Sequence, residues 1–192
     1  MNGPIHSAAE INTIGVIGAG PAGRAIACLS ALSGYRTTLE AVSQDFLDDA
    51  LFSIRRLLDD REKEGSITAQ QKAQALASLR TSRSVEDVCR EADLLIEAAQ
   101  EEMEVKLEIF TLFDKFAKPT AILASSSPTI SIDELAEITF RTEYCIGLRF
   151  RDPLIPSGRL EIMRTAETSE ATVAACLEVG RRMGRELSVS RI

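Results

Sequence analysis

The stretch GAGPAG, Gly18–Gly23, sets three glycines at GxGxxG spacing, after a β-branched run and before an Ala- and Leu-rich one. The chemistry this suits is the binding of a dinucleotide pyrophosphate. Gly18 permits a tight turn, Gly20 lets the backbone approach a phosphate, and Gly23 lets the next helix pack closely on the strand. Ala19, Pro21 and Ala22 complete the cofactor-binding turn. The helix N-terminus adds free N–H groups and a partial positive charge. Glu40 stands at the end of the following apolar run, close to where such a fold places an acid on the adenosine ribose. No Arg or Lys follows within reach to hold a 2′-phosphate, so NAD is expected over NADP. The competing reading of Glu40 is a solvated charge at a strand end.

A second stretch, CIGLRFRDPL, carries Arg149 and Arg151 at the tip of what reads as a buried strand. A guanidinium stays protonated and cannot serve as a general base. The usual base near neutral pH is histidine. The chain has one, His6, in the segment before the first strand. Any mechanism must therefore work without a histidine in the folded core, unless that segment folds back.

These residues need elements to hold them. Short apolar runs alternate with amphipathic ones along the whole chain. Strands are predicted at 12–17, 35–42, 94–98, 121–124, 144–148, 160–163 and 187–189. Helices are predicted at 24–33, from an N-cap at Ser43 to Gly65, at 68–79, 84–90, 102–116, 131–137 and 170–183. The pattern is that of an α/β fold with a mainly parallel sheet. Residues 1–11 read as an N-terminal tail and residues 12–192 as a single domain.

The length of 192 residues is enough to bury roughly 70% of the unfolded surface. A net charge of −7 gives no global support to a nucleic-acid or anionic-membrane partner. Cys28, Cys89, Cys145 and Cys176 are scattered without a CxxC pair and are expected to be buried free thiols. That use of cysteine, with neither a membrane span nor a basic-then-apolar leader, predicts a cytoplasmic protein. No metal site is expected.

Several stretches together resemble one family. IGVIGAGPAGRAIA, LLIEAAQEEMEVK, ILASSSPTISIDELA, IGLRFRDPL and LEIMRT occur in the order and spacing of the NAD-binding domain of 3-hydroxyacyl-CoA dehydrogenases. The resemblance runs from about Ile14 to Val189. It implies a Rossmann-type doubly wound sheet, NAD as cofactor and a setting in fatty acid metabolism. It also implies Glu101 and Lys106 near the nicotinamide ribose, although both equally suit a solvated helix start. Family members add a C-terminal helical domain that completes the acyl-CoA site and usually carries the dimer contact.

The departures from the family are specific. Ala41, not Glu40, aligns with its ribose-binding aspartate, and adjacent strand residues point to opposite faces. Pro128 takes the place of a serine whose hydroxyl contacts substrate and cofactor. Arg149 takes the place of the histidine base, and Asp152 that of an asparagine. The glutamate that orients the histidine is retained as Glu161. Three readings of Arg149 stand: a bidentate ion pair with Glu161, an anion site, or a plain surface charge. The resemblance thus implies an NAD(H)-binding domain without dehydrogenase activity of its own. Alternatives are one half of a split dehydrogenase, completed by a helical partner protein, and a regulatory protein with a degenerate nucleotide cleft. A homodimer is expected to cover the face that the helical domain would otherwise cover.

Overall fold

The central strands form because their β-branched and leucine side chains find cover on both faces of one sheet, whereas the edge strand at the C-terminal end stays largely exposed. The computed structural model describes residues 11–151 and 158–191. His6, Asp152 and Pro153 lie outside the described residues. The chain runs β1 (Thr13–Ile17), α1 (Pro21–Leu32), β2 (Arg36–Glu40), α2 (Gln44–Lys63), α3 (Ala69–Ser78) and β3 (Leu79–Ser82). It continues with α4 (Val85–Glu91), β4 (Leu94–Glu97), α5 (Met103–Phe116), β5 (Ile122–Ser125) and α6 (Ile132–Ala136). A 3-10 turn at Thr142–Tyr144 then leads into β6 (Cys145–Phe150), β7 (Arg159–Arg164), α7 (Glu170–Arg182) and β8 (Glu186–Arg191).

The eight strands lie in the order β3-β2-β1-β4-β5-β6-β7-β8. All neighbours are parallel except β6 and β7. This is the doubly wound Rossmann-type α/β sheet. Its strand order reverses between β1 and β4, which opens a crevice at their carboxyl ends. One core packs α1, α2 and α7 on one face, around Ile26, Leu47, Ile54 and Val179. The other packs α4, α5 and α6 on the opposite face, around Val88, Phe110, Phe113 and Leu135. Ile11 is fully buried in the first core.

Three differences from the sequence reading have physical causes. β3 was not expected: LRTS is short, has no alternating apolar pattern, and pairs in the sheet only with β2, while Leu79 packs on the first core. Helix α1 starts at Pro21 rather than Arg24, because proline's fixed φ suits the first helical position, where its missing N–H costs nothing. β6 extends past Leu148 to Phe150, pairing antiparallel with β7, and so takes Arg149 into the sheet. The four cysteines are buried and free, and burial pushes their thiols up to about 11 or 12. No helix among the described residues is long and apolar enough to cross a membrane.

Candidate functional site

The glycine turn links β1 to α1 at the switch point. Gly18 has φ +106, a conformation that favours glycine, and a Cβ there would meet the Ala98 backbone carbonyl at 2.7 Å. A Cβ on Gly23 would run into the Gly18 carbonyl. Gly20 differs: its missing Cβ faces open space. Gly20, Pro21 and Ala22 are exposed, and the Gly20 cap makes no side-chain hydrogen bond. The first-turn N–H groups of α1 therefore face an open approach, which fits a pyrophosphate. Arg24, which sequence reasoning passed over, pins the turn from behind. Its Nε donates to the Ala19 carbonyl at 2.7 Å and its Nη1 to Ser53 Oγ of α2 at 2.9 Å.

Glu40 closes β2 beside the turn, and its own carbonyl accepts from the Gly18 N–H at 3.1 Å. It is only 4% exposed. Burial pushes its carboxyl up to about 6, against a lowering by the Gly18 N–H. Ala41 is buried on the opposite side of the strand, in the α1–α2 core. The solvated strand-end charge is thus not what the fold makes of Glu40.

At the carboxyl ends of β4 and β5 lies a buried polar network. Glu97, fully buried, accepts from Lys106 Nζ (2.7 Å), the Ala99 N–H (2.7 Å) and Ser125 Oγ (2.7 Å). Lys106, also fully buried, reaches Glu101 Oε2 at 3.2 Å. Glu101 sits at the rim and accepts from Ser127 Oγ and from Thr129 Oγ1, the latter at 2.6 Å. Burial pushes the Glu101 carboxyl up, but the bonds from Ser127 and Thr129 and the Lys106 charge outweigh it and hold the group at about 2. Ser127 Oγ in turn accepts the Ile130 N–H at 2.8 Å, which shapes the loop around exposed Pro128.

The network joins Glu101 and Lys106, the two residues read from the helix start, but not as equals. Glu101 reaches the rim, whereas Lys106 is sealed beneath it and positions Glu101. Glu97 and Ser125 were missed. The signal for Glu97 was present: an acid ending the buried run Leu94–Ile96 needs a cation, and Lys106 follows within the next helix.

At the tip of β6 the Arg149–Glu161 ion pair, one of the three readings of Arg149, is not formed. The two residues are cross-strand partners in register. Glu161 instead pairs with Arg151 at 2.8 Å. Arg149 turns the other way, and its Nε donates to the Ser127 carbonyl at 2.9 Å. Arg151, two residues further on and exposed, takes Glu161, and Arg149 lies against the loop that follows β5. A cavity of about 230 Å³ lies elsewhere, against the amino ends of β1 and β2 beside Thr13, Arg36 and Glu91, and takes no part in this arrangement.

Residues 13–190 match the family model described as 3-hydroxyacyl-CoA dehydrogenase, NAD binding domain. A 3-hydroxybutyryl-CoA dehydrogenase of Bradyrhizobium diazoefficiens is 36% identical over 183 residues, 95% of this chain and 62% of that protein. A glyoxysomal fatty acid beta-oxidation multifunctional protein of Brassica napus is 31% identical over 91% of this chain, but only 24% of its own length is matched. The crystal structure of (S)-3-hydroxybutyryl-CoA dehydrogenase from Ralstonia eutropha superposes with a TM-score of 0.90 at 30% identity, covering 95% of this chain and 64% of that one. The chain thus spans less than two thirds of these relatives. The glycine turn at the switch point, the carboxylate network beside it and a family match over nearly the whole chain lead to one conclusion: this chain belongs to the 3-hydroxyacyl-CoA dehydrogenase family, as its NAD-binding domain.

Proposed function

We propose that the chain binds NAD(H) across the β1–β4 crevice and does not by itself oxidise 3-hydroxyacyl-CoA. NAD, when bound, supplies a nicotinamide ring that accepts or gives a hydride. The turn from Gly18 to Gly23 cradles the pyrophosphate through backbone N–H groups. Glu40 stands beside the adenosine side of the turn, and the stretch that follows it, AVSQDF, carries no Arg or Lys to favour a 2′-phosphate. Glu101, held ionised by Lys106, Ser127 and Thr129, offers an acceptor to the nicotinamide ribose.

The observation that carries the second half of the proposal is Arg149. It occupies the base position, its guanidinium cannot take a proton, and Glu161 is engaged by Arg151 rather than orienting an imidazole. A general base typically contributes about 10²- to 10⁴-fold. Pro128 also removes a hydroxyl. Arg149→His alone therefore restores no turnover, because a base without a positioned substrate gains little.

The test is titration of NAD, NADH and NADP into the purified chain. Tighter binding of NAD or NADH than of NADP is expected. Equal or tighter NADP binding overturns the preference, and no binding of any of them moves the protein to a regulatory class. NAD reduction by the unmodified chain with a 3-hydroxyacyl-CoA overturns the inactivity. Self-association as a homodimer in the cytoplasm completes the reading, and sedimentation showing only monomer at tens of micromolar counts against it.

A further inference from the structure

Arg149 is singled out in the sequence reading, and NAD binding leaves it unused. Its Nε is committed to the Ser127 carbonyl at 2.9 Å. That single bond sets the plane of the guanidinium, and Nη1 and Nη2 make no further hydrogen bond among the described residues. The side chain is half-buried at the carboxyl end of β6, next to the loop that carries Ser127 and Thr129. Charge accumulates here. Arg149, Arg151 and Arg159 all act on the single carboxylate of Glu161, which only Arg151 contacts. Arg151 is neutralised by Glu161 and Arg159 by Glu186, so of the three guanidiniums Arg149 is the one without a carboxylate of its own among the described residues.

We infer that Arg149 is an anion anchor: its two terminal nitrogens receive the carboxylate of a small organic acid, bound beside the nicotinamide end of the cofactor. The inference rests on the NAD-binding reading for its second ligand. Two coplanar donors with Nε already engaged match the two oxygens of one carboxylate. A phosphate dianion fits less well. It would need further donors, and the hydroxyls of Ser127 and Thr129 are already given to Glu101. In this site a fixed positive charge holds a free acid, where a proton acceptor would have served a neutral substrate.

The test uses acetoacetate as the carboxylate probe, titrated by calorimetry into the chain saturated with NADH, with inorganic phosphate as competitor. NADH binding is followed by fluorescence in the same samples. Acetoacetate should bind the wild type at millimolar concentration or better. It should weaken at least about 10-fold in Arg149→Gln, the loss expected for one charged, bidentate contact. Arg149→Lys, which keeps the charge but not the fork, should fall between. NADH affinity should change less than about twofold in either variant. Equal acetoacetate binding in wild type and Arg149→Gln, or none in the NADH-loaded wild type, overturns the inference while leaving NAD binding intact. Phosphate displacing acetoacetate at equal concentration overturns the carboxylate assignment. Absence of NADH binding is a separate result that falls on the proposed function. If neither variant folds, the wild-type titration and its phosphate competition still decide.

Discussion

The carboxyl ends of β1 and β4 and those of β5 and β6 share one sheet but have been treated differently. At the first, backbone geometry sets the site. Gly18 and Gly23 have no room for a Cβ, and Gly20 opens onto solvent where a phosphate must approach. At the second, side chains set it: by the family resemblance Arg149 stands where a base is expected and Pro128 where a hydroxyl is, and Glu161 pairs with Arg151 while Arg149 bonds the Ser127 carbonyl. A site made of backbone fails when any Cβ is added, so it tolerates little change. A site made of side chains can be altered one residue at a time while the strands stay put. The Glu97–Lys106–Glu101 network lies between the two and ties them together.

The largest effect that would test this division is at Lys106. Lys106→Met leaves Glu97 buried without its cation and should cost about 3–5 kcal/mol in denaturant unfolding, because the carboxylate keeps its desolvation penalty. A loss well below 1 kcal/mol would mean that the network relaxes into solvent and does not join the two regions.

Gly23→Ala comes next. The added methyl meets the Gly18 carbonyl, so the turn must shift, at a cost of about 1–3 kcal/mol of stability. Fluorescence titration should show NADH binding at least about tenfold weaker. Unchanged NADH affinity would break the claim that the first region is fixed by backbone.

Glu40→Gln has a smaller effect, with a definite sign. The folded carboxyl sits at about 6, above its ordinary 4.5, so folding favours the protonated form. Its contribution is fully present below pH 4.5 and is lost as pH rises through 6. The neutral variant should therefore match the wild type near pH 4 and exceed it by about 1–2 kcal/mol at pH 7.5. Thermal melts at the two pH values check this, and a constant difference would mean that Glu40 is not the group responsible.

The smallest effect concerns the second region. Arg149 and Glu161 share a register position without an ion pair and act on each other only through space, so the losses from Arg149→His and Glu161→Gln should add to within about 0.5 kcal/mol in the double variant. A coupling above about 0.5 kcal/mol would restore the direct pair and shrink the difference between the regions.

Much of this was legible in the residues alone. The alternation of apolar runs called for an α/β fold with a mainly parallel sheet, GAGPAG marked the pyrophosphate turn, and IEAAQEEMEVK held the network's acids and its lysine. These signals are local: a strand's burial is written in its own residues, and a tight glycine turn in its own spacing. β3 was lost because its four residues carry no pattern of their own and pair only with β2. Tertiary structure alone decided three further points. It buried Lys106 under Glu101, placed Glu40 against Gly18, and gave Glu161 to Arg151 while turning Arg149 toward Ser127. In each case the outcome depends on distances between elements far apart in the chain, most plainly at Glu161, which two arginines could have taken. Sequence spacing carries no record of those distances, so residue types named the participants and only the folded sheet chose the pairs.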